Sequence, residues 1–378
     1  MKINIALGHS LPFPPTKGGG IENINFSLSK AFVALGHEVV VYSRHEPGLR
    51  RKETDQFGIR HIRLNGFDWT SRKPIDALNS LRWCMRLSKS MEPADATLCN
   101  TLFSFLFRKN GRLGILASTI QRTPTRWKVK LFSHMDRVYC PSDAVLRQAL
   151  QAYPKMPNLK RIYNCIEVPA AAPPGRPAKT GGLTFLYLGR FVRDKGLEYL
   201  VKGFHASLAE YPDNRLVTMG PQTGGSGADE PFLAEMKHYV ADHRISDRVA
   251  FQPPTYDRRA LEQAIIEADV ICIPTLWGET FSAAILEAMV FAKPVLVSDF
   301  GPMPEAVDHL KTGFISKAAD AASLADGFRF FSGNAERLDD LGRNAREKVR
   351  SFSSMEIARQ YLDDFQDLLD NKPRRIAA

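Results

Sequence analysis

The sequence predicts an α/β protein built from two doubly wound, Rossmann-like domains with a cleft between them. Three observations carry that reading. At 378 residues the chain is longer than one hydrophobic core serves. Short β-rich runs alternate with helical stretches, stop, and then alternate again, the pattern of parallel sheets covered on both faces. Between the two runs lies PAAAPPGRPAKTGG (169–182), rich in Pro, Ala and Gly and without apolar periodicity.

The elements follow in order. INIAL (3–7) is the first strand. IENINFSLSKAFVAL (21–35) places Ile21, Ile24, Leu28, Ala31, Phe32 and Leu35 at helical spacing, Gly36 ends it, and EVVVYS (38–43) is the next strand, so the chain opens with a βαβ unit. Further strands are expected at IRHIRL (59–64), ATLC (96–99), LGILAS (113–118) and RVYC (137–140). After the break come TFLYLG (184–189), RLVTMG (215–220), RVAFQ (248–252), DVICIP (269–274), PVLVS (294–298) and GFIS (313–316), then a helical tail. The domains are therefore expected at 1–168 and 183–353.

Composition narrows the function classes. With 44% apolar and 24% charged residues the chain is ordinary globular protein, and no run of about 20 apolar residues could span a bilayer. The opening MKINIALGHS reads as a strand rather than a leader, and the five scattered cysteines lack metal spacing. A reduced cytoplasmic protein without a structural metal is expected. Residues 1–168 carry 26 Lys and Arg against 12 Asp and Glu, a net charge of +14, whereas residues 169–378 carry 25 against 29, a net of −4. Such asymmetry points to an acidic partner for the first half: a membrane surface, a phosphorylated acceptor or nucleic acid.

Ligands of doubly wound sheets bind at the carboxyl ends of the strands, so chemistry is expected in the loops that follow them. Four stretches sit there. KGGGIENINF (17–26) puts Gly18, Gly19 and Gly20 before the first helix, where backbone can approach a ligand and the helix N-terminus faces an anion; a plain loop tip is the alternative. The loop holds no GxGxxG, which argues against a nicotinamide cofactor. YLGRFVRDKGLEYL (187–200) ends a strand at Gly189 and follows it with Arg190 and Lys195, two cations suited to a diphosphate unless they are solvated surface charges. GETFSAAILEAMVFAKP (278–294) holds Glu279 in a loop and Glu287 within an apolar helix expected to start near Phe281 or Ser282, about two turns before Glu287. Eight residues at 100° each leave the two carboxylates roughly 80° apart around the helix axis, so they can reach one cleft at different depths. Glu287 can accept hydrogen bonds from two ribose hydroxyls, Glu279 can hold sugar hydroxyls, and the amides of Phe281 and Ser282 can face phosphate. Alone, Glu287 reads equally as a solvent-facing carboxylate on a core helix. VLVSDFGPMPEAVDHLKTGF (295–314) reads as a structural strand, turn and short helix.

Taken together, these stretches resemble the retaining glycosyltransferases of family 4. Glu279 and Glu287 with seven residues between them, followed by AMVFAKPVLVSDFGPMPE, resemble that family's signature. GGGIENINFSLSKAFVALGHEVVVYS, VYCPSDAVLRQAL with RIYNCIEV, and YLGRFVRDKGLEYLVKGF precede it in the family's order and cover nearly the whole chain. The resemblance implies the GT-B architecture, an acceptor on the first domain, a nucleoside-diphosphate sugar on the second, and a last helix near 354–370 returning to the first domain. It implies that Arg190 and Lys195 bind the donor diphosphate, Glu279 the transferred sugar and Glu287 the ribose, with the Gly18–Gly20 loop closing over the phosphates. Two departures stand out. Ser282 replaces the Gly that usually follows the Phe. LASTIQRTPTRW (116–127) has Gln121 or a neighbour where many relatives carry a His.

The reaction implied is sugar transfer with retained anomeric configuration. The donor is expected to be a UDP- or GDP-sugar and the acceptor a glycan, glycolipid or lipid-linked sugar, in synthesis of cell-surface polysaccharide or lipopolysaccharide. With two cations for the leaving diphosphate and no DxD motif, neither metal nor cofactor is expected. No carboxylate reads as a nucleophile, which favours front-face attack by the acceptor hydroxyl. RTPTRWKVKLF (122–132) mixes cations with Trp127 and Phe132 and suits an anionic membrane surface, so peripheral attachment through the basic half is expected. A nucleotide-sugar epimerase of the same architecture would need acid and base groups that cannot be assigned. A nucleic-acid-binding protein would leave the cleft residues unexplained, and no nucleic-acid motif occurs.

Overall fold

In the computed structural model, residues 1–16, 19–70, 72–109, 111–171, 173, 181–222, 229–255 and 257–371 are described. Gly18 and most of the 169–182 break therefore lie outside the described residues. The chain divides into two compact units, one formed by Met1–Glu167 with the chain from Phe352 onward, the other by Val168–Ser351.

The first unit carries β1 (Lys2–Ala6), α1 (Gly20–Ala34), β2 (Glu38–Arg44), β3 (Lys52–Thr54), β4 (Arg60–Leu64), α2 (Lys73–Ser90), β5 (Ala96–Cys99), β6 (Ile115–Thr119), α3 (Arg126–Leu131), β7 (Arg137–Cys140), α4 (Asp143–Ala152) and β8 (Leu159–Arg161). Its sheet runs β3-β4-β2-β1-β5-β6-β7-β8. The alternation of strand side chains covers both faces. Ile3, Ile5, Val39 and Val41 pack with Phe32 of α1, and Ala6, Val40 and Tyr42 pack with Trp83 and Leu87 of α2. Gly36 ends α1 at φ 85°, a left-handed position that suits glycine. The expectation of purely parallel pairing needs correction at one edge, where β3 runs antiparallel to β4. Strands β3 and β8 escaped sequence reading because each is three residues long, polar and unpatterned.

The second unit carries β9 (Thr184–Leu188), α5 (Leu197–Ser207), β10 (Arg215–Met219), α6 (Glu230–Asp242), β11 (Val249–Gln252), α7 (Arg258–Glu267), β12 (Val270–Ile273), α8 (Ala283–Val290), β13 (Val295–Ser298), α9 (Met303–Ala306), β14 (Gly313–Ser316), α10 (Ala321–Gly333) and α11 (Leu338–Val349). Its six strands are all parallel, in the order β11-β10-β9-β12-β13-β14.

The last helix, α12 (Ser354–Asp370), belongs to the first unit. Ile357, Ala358, Tyr361 and Phe365 are buried in the core that holds Phe32 and Ile5. Asp364 fixes the helix. Its buried carboxylate accepts from Arg137 Nε at 2.8 Å, Lys160 Nζ at 2.6 Å and the Tyr139 hydroxyl at 2.8 Å. Phe132 is also buried, so the basic stretch 122–132 exposes Trp127 but not both of its aromatics as the sequence suggested.

Candidate active site

In the second unit the chain lays down β9, β10 and β11 to one side, then crosses back to place β12 against β9. Connections diverge at that boundary, the place where open α/β sheets bind ligands at the carboxyl ends of their strands. Lys195 follows β9 and Glu279 follows β12, so the topology alone brings their loops together.

Backbone packing fixes the loop after β9. The Gly189 N–H donates to the Met219 carbonyl at 3.1 Å, and a Cβ on Gly189 would sit 2.9 Å from the Tyr187 hydroxyl. That hydroxyl donates to the Arg190 carbonyl at 2.8 Å. The Arg190 side chain is exposed and has no carboxylate partner among the described residues. A 3₁₀ turn, Arg193–Lys195, follows, and Gly196 closes it at φ 73°. A Cβ on Gly196 would meet the Pro274 carbonyl oxygen at 1.9 Å, and the Leu276 N–H donates to the Asp194 carbonyl at 2.8 Å. The loops after β9 and β12 are thus stitched backbone to backbone. Gly196→Ala combines a strained φ with a clash against main chain, and urea denaturation is expected to show a loss of about 2 kcal/mol or more. An unchanged midpoint would contradict this reading of the turn.

Across that seam Lys195 Nζ donates to Glu279 Oε1 at 2.5 Å, with the two side chains 13% and 24% exposed. Two residues picked separately from the sequence therefore form one ion pair. α8 begins at Ala283 with Ser282 as its N-cap, and the Ser282 hydroxyl makes no capping bond. Phe281 and Ser282 are buried at this turn. The start at Ala283 corrects the expected geometry: Glu287 is the fifth helical residue rather than two turns in. Glu279 lies outside the helix, so the angular argument relating the two carboxylates does not apply.

Glu287 is half-buried and has a partner that sequence reading missed. Arg258 Nη1, at the start of α7, lies 3.4 Å from Glu287 Oε1 and also pairs with Glu262. Burial pushes the Glu287 carboxyl above the usual carboxylate range, and Arg258 only partly opposes this. The structure pairs Lys195 with Glu279 and Arg258 with Glu287, and records no direct bond between the two pairs.

In the first unit Gly19 is the N-cap of α1 at φ 112° and Gly20 its first residue. A Cβ on Gly19 would lie 2.3 Å from Glu22 Oε2. Glu22, the third helical residue, folds its buried carboxyl back to its own N–H, and burial raises its pKa. This helix start already holds a carboxyl of its own, which a motif of glycines could not reveal. Gln121, read as standing in for a His, forms a reciprocal amide pair with Asn164 at 2.8 and 3.1 Å. Asn100 joins Asn25 of α1 to Thr119 at the end of β6.

Comparison with known proteins is consistent with this arrangement. Residues 172–348 match the profile described as Glycosyl transferases group 1, and residues 18–168 match Glycosyltransferase Family 4. The D-inositol 3-phosphate glycosyltransferase of Nocardia farcinica is 30% identical over 187 residues, 48% of this chain and 40% of that protein. The chain thus spans about two fifths of that relative's length. Spore coat protein SA of Bacillus subtilis is 20% identical over 97% of this chain and 99% of its own. Among solved structures, sucrose-phosphate synthase from Thermosynechococcus elongatus superposes with a TM-score of 0.79 at 20% identity, covering 98% of this chain and 99% of that one. Anabaena HepE, solved in complex with UDP-glucose, superposes with a TM-score of 0.71 at 16% identity, covering 97% and 100%. With profiles of this family matched on both sides of the 169–182 break and GT-B enzymes as structural neighbours, the chain belongs to glycosyltransferase family 4 and has the GT-B fold.

Proposed function

We propose that the chain is a retaining glycosyltransferase that moves a sugar from a nucleoside-diphosphate sugar to a glycan, glycolipid or lipid-linked acceptor in cell-surface polysaccharide or lipopolysaccharide synthesis. The observation that carries the reading is the Lys195–Glu279 pair at the β9/β12 switch point. UDP-glucose in the complex of HepE supports a UDP-sugar as donor.

In the proposed reaction, donor phosphates draw Lys195 from Glu279. Lys195, Arg190 and the amides around Phe281 and Ser282 then stabilise the charge on the departing diphosphate. Two cations and a helix start supply this without a metal. Glu279, released, holds hydroxyls of the transferred sugar, and Glu287 accepts from the ribose. The bond between the anomeric carbon and the β-phosphate oxygen breaks as the acceptor oxygen bonds to that carbon from the same face. The acceptor's hydroxyl proton passes to the leaving phosphate oxygen. The first unit is proposed to hold the acceptor.

The test is an incubation with UDP- and GDP-sugars and lipid-linked or glycan acceptors, with proton NMR of the new linkage. Released nucleoside diphosphate and a product anomer matching the donor are expected. An inverted product would overturn retention, and no release from any donor would overturn the transferase reading. A pH series adds a second check. Above its raised pKa, Glu287 is a carboxylate and accepts both ribose hydroxyls; as pH falls through that value it gains a proton and loses acceptor capacity. Nucleoside-diphosphate affinity is expected to fall with it, and Glu287→Gln to flatten the profile.

A further inference from the structure

Helix α2 buries one face and exposes the other. Trp83, Cys84 and Leu87 turn inward, and Asp76, the helix's one acidic residue, accepts from the N–H and hydroxyl of Thr70 on the buried side. The outward face carries Ile75, Leu78 and Met85, which are 41%, 45% and 50% exposed, interleaved with Arg82, Arg86 and Lys89. At 100° per residue these six side chains occupy an arc of about 100°. The arc holds no carboxylate, and Arg82 and Lys89 have no carboxylate partner among the described residues. Just before the helix, Trp69 is 59% exposed with its ring stacked on His9 at 6.3 Å. His9 is itself fixed by Ser80 and the Phe67 carbonyl.

We infer that the outward face of α2 is a docking surface for an anionic phospholipid bilayer. Apolar side chains beside Arg82 and Lys89 suit the boundary between headgroups and acyl chains, where the first bury and the second meet lipid phosphates; Arg86 is already engaged, donating to the Asn65 carbonyl at 2.5 Å and lying over the Phe67 ring. Charge complementarity selects this occupant over a second copy, because an isologous contact would set cations against cations. It also prefers α2 over the 122–132 stretch, where Phe132 and Val129 turn into the core and Trp127 is the exposed aromatic. The inference stands on exposure and charge alone and is independent of sugar transfer.

Flotation of the full chain with vesicles of phosphatidylcholine, alone and mixed with phosphatidylglycerol, tests it. Wild type is expected to float with the mixed vesicles at low salt and to be released at high salt. Ile75→Ser/Leu78→Ser/Met85→Ser and, separately, Arg82→Glu/Lys89→Glu are each expected to lower binding by about tenfold or more. Their melting temperatures should stay at the wild-type value, since the changes lie on the exposed face, and Trp127→Ser should float as wild type does. No flotation of wild type would overturn the inference, as would flotation of both α2 variants to the same extent as wild type. So would a concentration-dependent dimer, lost in those variants, in place of vesicle binding.

Discussion

Lys195→Ala is expected to lower sugar transfer by about 10²- to 10³-fold, mainly in kcat, the size of effect seen when one preorganised donor to a developing anion is removed. The ammonium group is held at a seam that backbone contacts define, so no other cation replaces it when the chain is cut back to Ala. Arg190 lies on the same loop, but its side chain is exposed and has no carboxylate partner among the described residues. The effect on folding is expected to stay within about 1 kcal/mol, because the partner Glu279 retains access to water. That contrast separates a role in the reaction from a role in stability. Lys195→Arg keeps the charge and should recover part of the rate. A kcat within a few-fold of wild type for Lys195→Ala would remove the cation from the proposed reaction.

Asp364→Ala is expected to cost about 3 kcal/mol, the lower end of the range for breaking a buried ion pair. Arg137 and Lys160 can turn to water, their side chains being 22% and 43% exposed, but the buried Tyr139 hydroxyl loses its acceptor. Loss of the anchor loosens α12 and uncovers the core around Phe32, so the first unit should melt earlier. The pH dependence has a definite sign. Burial raises the Asp364 pKa, but bonds from Lys160 and Tyr139 and the charges of Arg137 and Lys160 outweigh it, leaving the carboxyl below its usual value. The stabilisation is therefore complete above the unfolded-state pKa and is lost as pH falls through the depressed one. Thermal melts of wild type and Asp364→Asn from neutral to acid pH should converge. A constant gap between the curves, or an unchanged midpoint at neutral pH, would contradict the anchor.

What could be read from the sequence depended on how local its cause was. Apolar runs such as VVVY (39–42) and VICI (270–273) are buried strands, as their short length and β-branched content indicated. The polar edge strands β3 and β8 left no such trace. Lys195 and Glu279 could be picked out one by one, since each sits just after a strand. Their pairing spans 84 residues and became visible only with strand order. Arg258 was invisible for the same reason: it sits 29 residues before Glu287 and reads as a surface cation. Phe132 went astray because a short basic stretch reads as one surface, whereas α3 turns part of it inward.

Titration calorimetry of UDP, GDP and ADP, each beside its nucleoside, into wild type, Lys195→Ala and Glu287→Ala tests the central claim most directly. One nucleoside diphosphate should bind wild type more tightly than the others. Lys195→Ala should weaken it while leaving the nucleoside unaffected, and Glu287→Ala should weaken both. Equal affinities in all three proteins, or no heat from any diphosphate with wild type, would contradict a nucleotide-sugar site at the β9/β12 switch point.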